Sequence, residues 1–185
     1  MDKQQDILNA ALRLFVEAGF HGTPTSRIAK EAGVANGTLF YYFKTKEALI
    51  VALYNTIRHR VHTQAFAGHD PASGLRESLA MAFRRALDWA GSHQEEFYFM
   101  QQFEASPYYQ LRDKEDLSGQ NDALLNLVGR GVGEGILKNM PVELLSLLIE
   151  QQIRAVSHYL TGEADDAQKK KLAEDCFGML WNMLV

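Results

Sequence analysis

The sequence predicts an all-α protein of roughly nine helices, and three observations carry this prediction. Apolar residues recur three and four positions apart along most of the chain, which is the period of one helix face. The 4 prolines stand at positions 24, 71, 107 and 141, and the stretches between them are rich in the helix formers Ala, Leu, Glu, Gln and Lys. No stretch alternates apolar and polar residues for long enough to predict a strand.

Four helices are predicted in the N-terminal third of the chain. Gly19 ends the first helix in the manner of a C-terminal glycine. Thr25 or Ser26 caps the second, and Thr45 caps the fourth. The predicted ranges are 3–18, 25–32, about 36–43 and 46–61.

Loop signals separate the remaining helices. Residues 68–74 give the clearest one, and Pro107 and Pro141 mark two further breaks. The predicted helices cover about 75–90, 95–104, 114–138, 142–161 and 166–185. Glycines at 129, 131, 133 and 135 fall inside the third of these, where each weakens a helix by about 1 kcal/mol relative to Ala. Close packing at 131 and 135 is the favoured explanation, and the alternatives are a locally irregular segment or one that moves with ligand.

Composition and charge limit the class of protein. The 185 residues are 46% hydrophobic and 23% charged, so the chain can bury a core. No apolar run reaches the roughly 18 residues of a membrane span, and no signal peptide is visible, so a cytoplasmic location is expected. The net charge is -4, yet residues 1–60 carry +3 and the rest -7. A basic N-terminal part permits a phosphate-binding surface, although chance also produces such asymmetry.

A helix-turn-helix spacing follows the first helix. Ala29 is small enough to let the next helix cross closely, and Gly33, four residues later, permits the left-handed turn between the two. Ile28, Val34 and Leu39 are placed to fill the small core beneath the crossing. A tight helical corner without DNA has the same spacing, so the spacing alone leaves both interpretations open.

Side chains around this corner suit DNA. On the predicted third helix, short polar or hydroxyl groups fit base edges and phosphates, and a glycine lets the backbone approach. These residues are Asn36, Gly37, Thr38, Tyr41 and Tyr42. At the start of the second helix, free N–H groups and a cation can hold phosphate, or the same residues simply cap the helix. They are Thr25, Ser26 and Arg27.

With these residues the sequence resembles the TetR/AcrR family of bacterial transcriptional regulators. The match covers about the first 55 residues and includes Gly19-Phe20, Thr23, Ile28-Ala29, Ala32-Gly33-Val34, Gly37, Leu39-Phe40, Tyr42-Phe43, Lys46-Glu47 and Leu49. The resemblance implies a homodimer on a double-stranded DNA operator, a DNA-reading helix at 36–43, a phosphate contact from Lys46 and an effector pocket in the C-terminal body. It divides the chain into a DNA-binding domain, 1–46, and a ligand-binding and dimerisation domain, 47–185.

Two positions depart from the family pattern. Phe40 stands where Tyr is usual, which removes one hydroxyl directed at phosphate. Ala35, at the edge of the DNA-contacting positions, stands where Ser is frequent, and Ala is a poor helix cap. Asn36 is then the alternative cap, and capping would compete with its contact to a base.

The C-terminal body contains a group of aromatic and methionine side chains. They either pack a core or line an apolar cavity for a hydrophobic effector, with a few polar groups nearby. The candidates for ligand contact are Trp89, Phe99, Met100, Phe103, Glu104, Arg154 and His158. Arg154 and His158 share one helix face, and exposure or a dimer contact is the alternative for both.

The last two predicted helices carry apolar residues on more than one stripe. Leu144, Leu145, Leu147, Leu148 and Ile149 illustrate this excess width. Because a surface helix needs one apolar face, the second stripe predicts a partner helix and hence a homodimer through the last two helices. Deep burial within one subunit is the alternative.

Catalysis and cofactors have little support. His59 and His62 share a face and His69 follows, but zinc would need a further fixed ligand, and Asp70 lies in a predicted loop. Cys176 lies on an apolar helix and is interpreted as packing. The sequence therefore predicts a ligand-responsive regulator with no enzyme activity, cofactor or metal. Among regulators, a repressor is the favoured type. A helical ligand-binding protein or enzyme without DNA, and a regulator that needs no small molecule, are the alternatives.

Overall fold

The computed structural model describes residues 2–68, 73–111, 123–160 and 165–185. These residues form nine α-helices and one short 3₁₀ segment, and they contain no strand. The helices are α1 Lys3–Ala18, α2 Thr25–Glu31, α3 Asn36–Tyr42, α4 Lys46–Ala65, α5 Leu75–Ser92, α6 Gln94–Glu104, α7 Ala123–Gly133, α8 Val142–Leu160 and α9 Asp166–Leu184; the 3₁₀ segment is Pro107–Leu111. The predicted all-α fold is confirmed.

Several helix ends follow from the local sequence. Gly19 ends α1 with a φ of 69°, as predicted. The Thr45 hydroxyl accepts a backbone hydrogen bond from the first turn of α4 at 3.1 Å, so this predicted cap is present. The predicted cap at Thr25 or Ser26 is wrong, because Pro24 precedes α2 and no side chain caps it.

The described helices divide into two compact units. The first unit contains α1, α2, α3, the part of α4 up to His59, α6 and the 3₁₀ segment. The second unit contains α4 from Arg60 onward and α5, α7, α8 and α9. The domain boundary at residue 46 stays a prediction.

The second unit has its own apolar core. Buried side chains from α5, α7, α8 and α9 meet there; they include Leu79, Phe83, Leu127, Val128, Leu145, Ile149, Phe177 and Leu180. None of the helices described is both long and apolar enough to cross a membrane.

Helix α7 ends earlier than predicted. It stops at Gly133 rather than Lys138, because Gly135 adopts a φ of 69° and turns the chain. Gly135 therefore serves a turn, and the expectation that it allows close helix packing is wrong, since open space surrounds it. The predicted start of this helix at Lys114 lies outside the described residues.

Gly131 does allow a close approach, and this leads to a test. A Cβ at Gly131 would lie 2.4 Å from Leu75 Cδ2 and 2.8 Å from Leu137 Cγ. We expect Gly131→Ala to lower the free energy of unfolding by about 1–3 kcal/mol, because these side chains must move. Gly133→Ala is the matched control, since nothing lies within 4 Å of its Cβ position. It should raise stability by up to about 1 kcal/mol; equal effects in denaturant unfolding would contradict the packing explanation.

Candidate nucleic-acid interface

Internal contacts fix the segment between α1 and α2. The Thr23 hydroxyl is buried and lies 3.0 Å from the Leu14 carbonyl oxygen and 2.9 Å from that of Gly19. A Cβ at Gly22 would lie 2.3 Å from the Ala18 carbonyl oxygen, so glycine is required there. Consequently the end of α1 determines where α2 begins.

Helices α2 and α3 form the predicted helix-turn-helix corner. Ile28 and Ala29 of α2 and Leu39 of α3 are buried beneath it. Gly33 adopts a φ of 66°, and the Val34 N–H donates to the Ala29 carbonyl at 2.9 Å, which closes the turn. The corner predicted from the spacing of small residues is therefore present.

Helix α3 turns a polar surface to solvent. Asn36, Gly37, Tyr41 and Tyr42 are exposed and Thr38 is partly exposed. Tyr41 reaches 74% exposure, which is high for an aromatic side chain in a small helical unit. The candidate base-contacting residues therefore lie together on one accessible surface.

The start of α3 is free of the expected conflict between capping and base contact. Ala35 precedes the helix and no side chain caps it. The Asn36 side chain makes no hydrogen bond with any residue that the structure describes, so it does not act as the cap. A Cβ at Gly37 would meet nothing within 4 Å. The protein's own packing therefore does not require glycine at this position, and close approach of its backbone to DNA stays a prediction.

Lys44 is a candidate that the sequence analysis missed. It is exposed, and its ammonium lies 5.8 Å from the centre of the Tyr41 ring. The Tyr41 ring in turn meets the Tyr42 ring edge-on at 5.4 Å. The signal available in the sequence was a lysine three residues after a tyrosine of the predicted DNA-reading helix. Lys44 therefore adds a cation beside the exposed Tyr41 of α3.

The predicted phosphate contacts at the start of α2 are accessible, but one is already paired. Ser26 and Arg27 are exposed and Thr25 is partly exposed. Arg27 Nη2 lies 3.0 and 3.3 Å from the two carboxylate oxygens of Glu17. A phosphate would have to replace this carboxylate. Exposed ion pairs of this kind are weak, so replacing the carboxylate by a phosphate costs little free energy.

Lys46 opens α4, four residues after the last residue of α3. Its ammonium donates a hydrogen bond to the Phe20 carbonyl. An ammonium group has three donors, so two remain for an anion. Helix α3 thus carries hydroxyl and amide groups, and Arg27, Lys44 and Lys46 supply cations before and after it in the chain. Contact with both bases and phosphates requires groups of these kinds.

The predicted ligand residues of α6 all lie in the first unit. Phe99 and Phe103 are fully buried, and their rings stack with centres 6.4 Å apart. Glu104 Oε1 accepts a hydrogen bond from the Tyr54 hydroxyl at 3.2 Å. Met100 is partly buried. In this unit the aromatic group packs a core, and contact with a ligand stays a prediction.

The other predicted ligand residues lie in the second unit. Trp89 is buried in α5, while Arg154 is partly exposed and His158 exposed on α8. Their role in ligand binding also stays a prediction. Burial raises the pKa of the Cys176 thiol and the nearby Asp175 carboxylate raises it further, so the thiol stays neutral near pH 7.

Only some of the residues considered for a zinc site lie within the part of the chain that the structure describes. His62 Nε2 lies 3.8 Å from Glu150 Oε1. His69 and Asp70 lie outside the described residues. Within the described parts of the chain, no group of three or more His, Cys, Asp or Glu side chains is placed to hold a metal ion.

Comparison with known proteins decides the family. The family model for bacterial regulatory proteins of the tetR family matches residues 7–53. A solved structure from Shewanella sp. PV-4, assigned to the TetR family of transcription regulators, is 31% identical over 100% of this chain and 98% of its own, with a TM-score of 0.89. The chain belongs to the TetR family. The resemblance seen in the corner residues is thereby confirmed.

Two curated relatives are less similar to this chain. The YuxN regulator of Bacillus subtilis (strain 168) is 28% identical over 141 residues, 70% of this chain and 47% of its own. The fatty acid metabolism regulator of the same strain is 29% identical over 139 residues, 74% of this chain and 71% of its own. The chain thus spans about half the length of the first relative. These proteins are named as regulators, which confirms the prediction of a regulator over that of an enzyme.

Proposed function

We propose that the protein is a homodimeric repressor of transcription that binds a palindromic DNA operator in the cytoplasm and is released by a small effector. The exposed face of α3 carries this proposal. Asn36, Thr38 and Tyr41 extend from a helix whose other side is buried in the corner. Side chains of this size reach base edges in the major groove. Lys44 and Lys46 supply cations for the flanking phosphates.

Dimerisation is proposed through α8 and α9. These two helices pack on each other, and Gln152 Nε2 of α8 donates to the Cys176 carbonyl of α9 at 2.7 Å. On their outer faces, Leu144 and Leu147 are 39% and 40% exposed, and Met179 is 69% exposed. Exposed apolar side chains on two neighbouring helices suit a symmetric contact with a second copy. Two α3 helices would then enter successive major grooves, about 34–36 Å apart.

Selection of binding sites from a random duplex library tests the function. The expected product is an inverted repeat bound by two chains. Thr38→Val and Tyr41→Phe should change the preferred bases. Lys46→Gln should weaken binding to every duplex and reduce the slope of log affinity against log salt by about 0.9, the contribution of one phosphate. A folded chain that binds no duplex would overturn the proposal.

An effector is proposed to act through α4. This helix has residues in both units, so a displacement of its last residues, from Arg60 onward in the second unit, reaches Lys46 through continuous helix. A mainly apolar effector suits the apolar core of the second unit, and one relative is a regulator of fatty acid metabolism. An effector that binds the DNA-free form 100-fold better would loosen operator binding by up to that factor, about 2.7 kcal/mol.

Fatty acids of increasing chain length are therefore the first probes. A thermal-shift series identifies those that bind, and operator affinity is then measured with and without each binder. Binders that leave operator affinity unchanged would contradict release by an apolar effector.

The Arg27–Glu17 pair provides a prediction about affinity. Glu17→Gln removes the carboxylate that competes with phosphate for Arg27, so binding to any duplex should tighten roughly two- to fivefold at low salt. Glu31→Gln is the matched control, since Glu31 pairs at 3.2 Å with Arg13, which is outside the candidate surface. Fluorescence anisotropy measures both variants. An equal gain in the two would indicate a general charge effect rather than release of Arg27.

A further inference from the structure

The anchoring of Lys46 involves more than the lysine itself. Its hydrogen-bond acceptor is the carbonyl of Phe20, in the segment between α1 and α2. This segment is tied to α1, because the Gly19 N–H donates to the Phe15 carbonyl at 2.9 Å and the buried Thr23 hydroxyl lies 3.0 Å from the Leu14 carbonyl oxygen. The place of the Lys46 ammonium therefore depends on how firmly Phe20 is held.

Three aromatic rings hold the Phe20 side chain. Its ring centre lies 5.2 Å from that of Phe15, 5.8 Å from Phe99 and 5.3 Å from Tyr108, and each pair meets edge to face. Phe15 and Phe99 are fully buried, whereas Tyr108 is partly exposed on the 3₁₀ segment. Tyr108 is therefore the ring of the three that can be changed without opening the core.

We propose that Tyr108 is a positioning residue for DNA binding, which acts through Phe20 to hold the Lys46 ammonium ready for a phosphate. The inference rests on the proposed function. A lysine held in place before DNA arrives loses less side-chain freedom when it binds phosphate. The contact carries no information about sequence, so Tyr108 sets affinity for all duplexes and leaves the preference among them unchanged.

The test measures the coupling between Tyr108 and Lys46 in the full chain. Tyr108→Ala, Lys46→Ala and the double variant are titrated with the selected operator and with a random-sequence duplex at several salt concentrations. Tyr108→Ala should weaken both duplexes by the same factor, roughly three- to tenfold, which is the size of one aromatic edge contact. The slope of log affinity against log salt for Tyr108→Ala should approach the slope for Lys46→Ala. In the Lys46→Ala background, loss of the Tyr108 ring should have no further effect.

Two variants control for a general structural effect. Tyr108→Phe keeps the ring and should bind both duplexes as the wild type does. Tyr109→Ala removes the neighbouring ring, which packs against Phe103 at 6.2 Å. It should leave both affinities within about twofold, below the size of the expected aromatic effect.

A measurement without DNA completes the test. In NMR spectra of the folded protein, the Lys46 ammonium should be restrained in the wild type and mobile in Tyr108→Ala. The positioning role would be overturned if the Lys46 ammonium were equally restrained in Tyr108→Ala. It would also be overturned if the two single losses of affinity multiplied in the double variant. In both cases the proposal of DNA binding would stand. If the wild type binds no duplex, the proposed function fails, and the NMR comparison still decides whether Tyr108 holds Lys46.

Discussion

Phe99→Ala is expected to lower the free energy of unfolding by about 3–5 kcal/mol, the cost of a large cavity in a packed core. Phe99 is fully buried, and its ring lies 6.2 Å from Phe15 and 5.8 Å from Phe20. Because these rings join α6 to α1 and to the segment that follows it, removal of one leaves apolar surface that neighbouring side chains fill only in part. Guanidinium unfolding followed by far-UV circular dichroism measures the loss.

Tyr98→Ala is the matched control for this substitution. Tyr98 stands next to Phe99 on α6 and is 49% exposed. It should cost less than about 1 kcal/mol, because surface substitutions away from packed features have small effects. A loss of similar size in both variants would contradict the assignment of Phe99 to the core.

Leu147→Glu is expected to convert the proposed dimer into monomers. A symmetric contact buries the residue twice, and each copy would place an unpaired carboxylate in an apolar interface, at a cost of several kcal/mol. The dimer dissociation constant should rise at least about 100-fold, which corresponds to roughly 2.7 kcal/mol. Operator affinity should fall as the dimer dissociates, because a single chain then binds each half-site. Sedimentation over a concentration series measures the first effect and anisotropy the second.

Leu111→Glu controls for the added charge. Leu111 is 53% exposed, compared with 40% for Leu147, but it lies in the first unit, on the 3₁₀ segment. It should leave the association state unchanged. Wild-type protein that sediments as a 20.8 kDa monomer at micromolar concentration would contradict dimerisation through α8 and α9.

Local sequence signals predicted much of the helical layout. Gly19 and Thr45 mark helix ends through their own backbone or side chain, so no distant residue is needed to interpret them. The corner between α2 and α3 was predictable for the same reason, since Ala29 and Gly33 act within a few residues of each other. The capping signal failed where several neighbouring residues could begin the helix. Pro24, and not Thr25 or Ser26, precedes α2, and no side chain caps this helix.

The candidate DNA surface was largely predictable from sequence, but its contacts were not. Exposed polar residues on α3 follow from helical periodicity once Leu39 is assigned to the core. The pairing of Arg27 with Glu17 and the bond from Lys46 to the Phe20 carbonyl join residues 10 and 26 positions apart. No periodic pattern relates such positions.

By itself, the sequence determined that the protein is helical, where most helices begin and end, and which side chains share each face. The tertiary structure decided which faces meet. Periodicity identified Phe99 and Phe103 as neighbours on one helix, but only the packed structure placed Phe99 against Phe15 and Phe20. It likewise showed why Gly131 must be small while Gly135 serves a turn. The physical reason is that helix formation depends on residues within one or two turns, whereas packing depends on shapes brought together from distant parts of the chain.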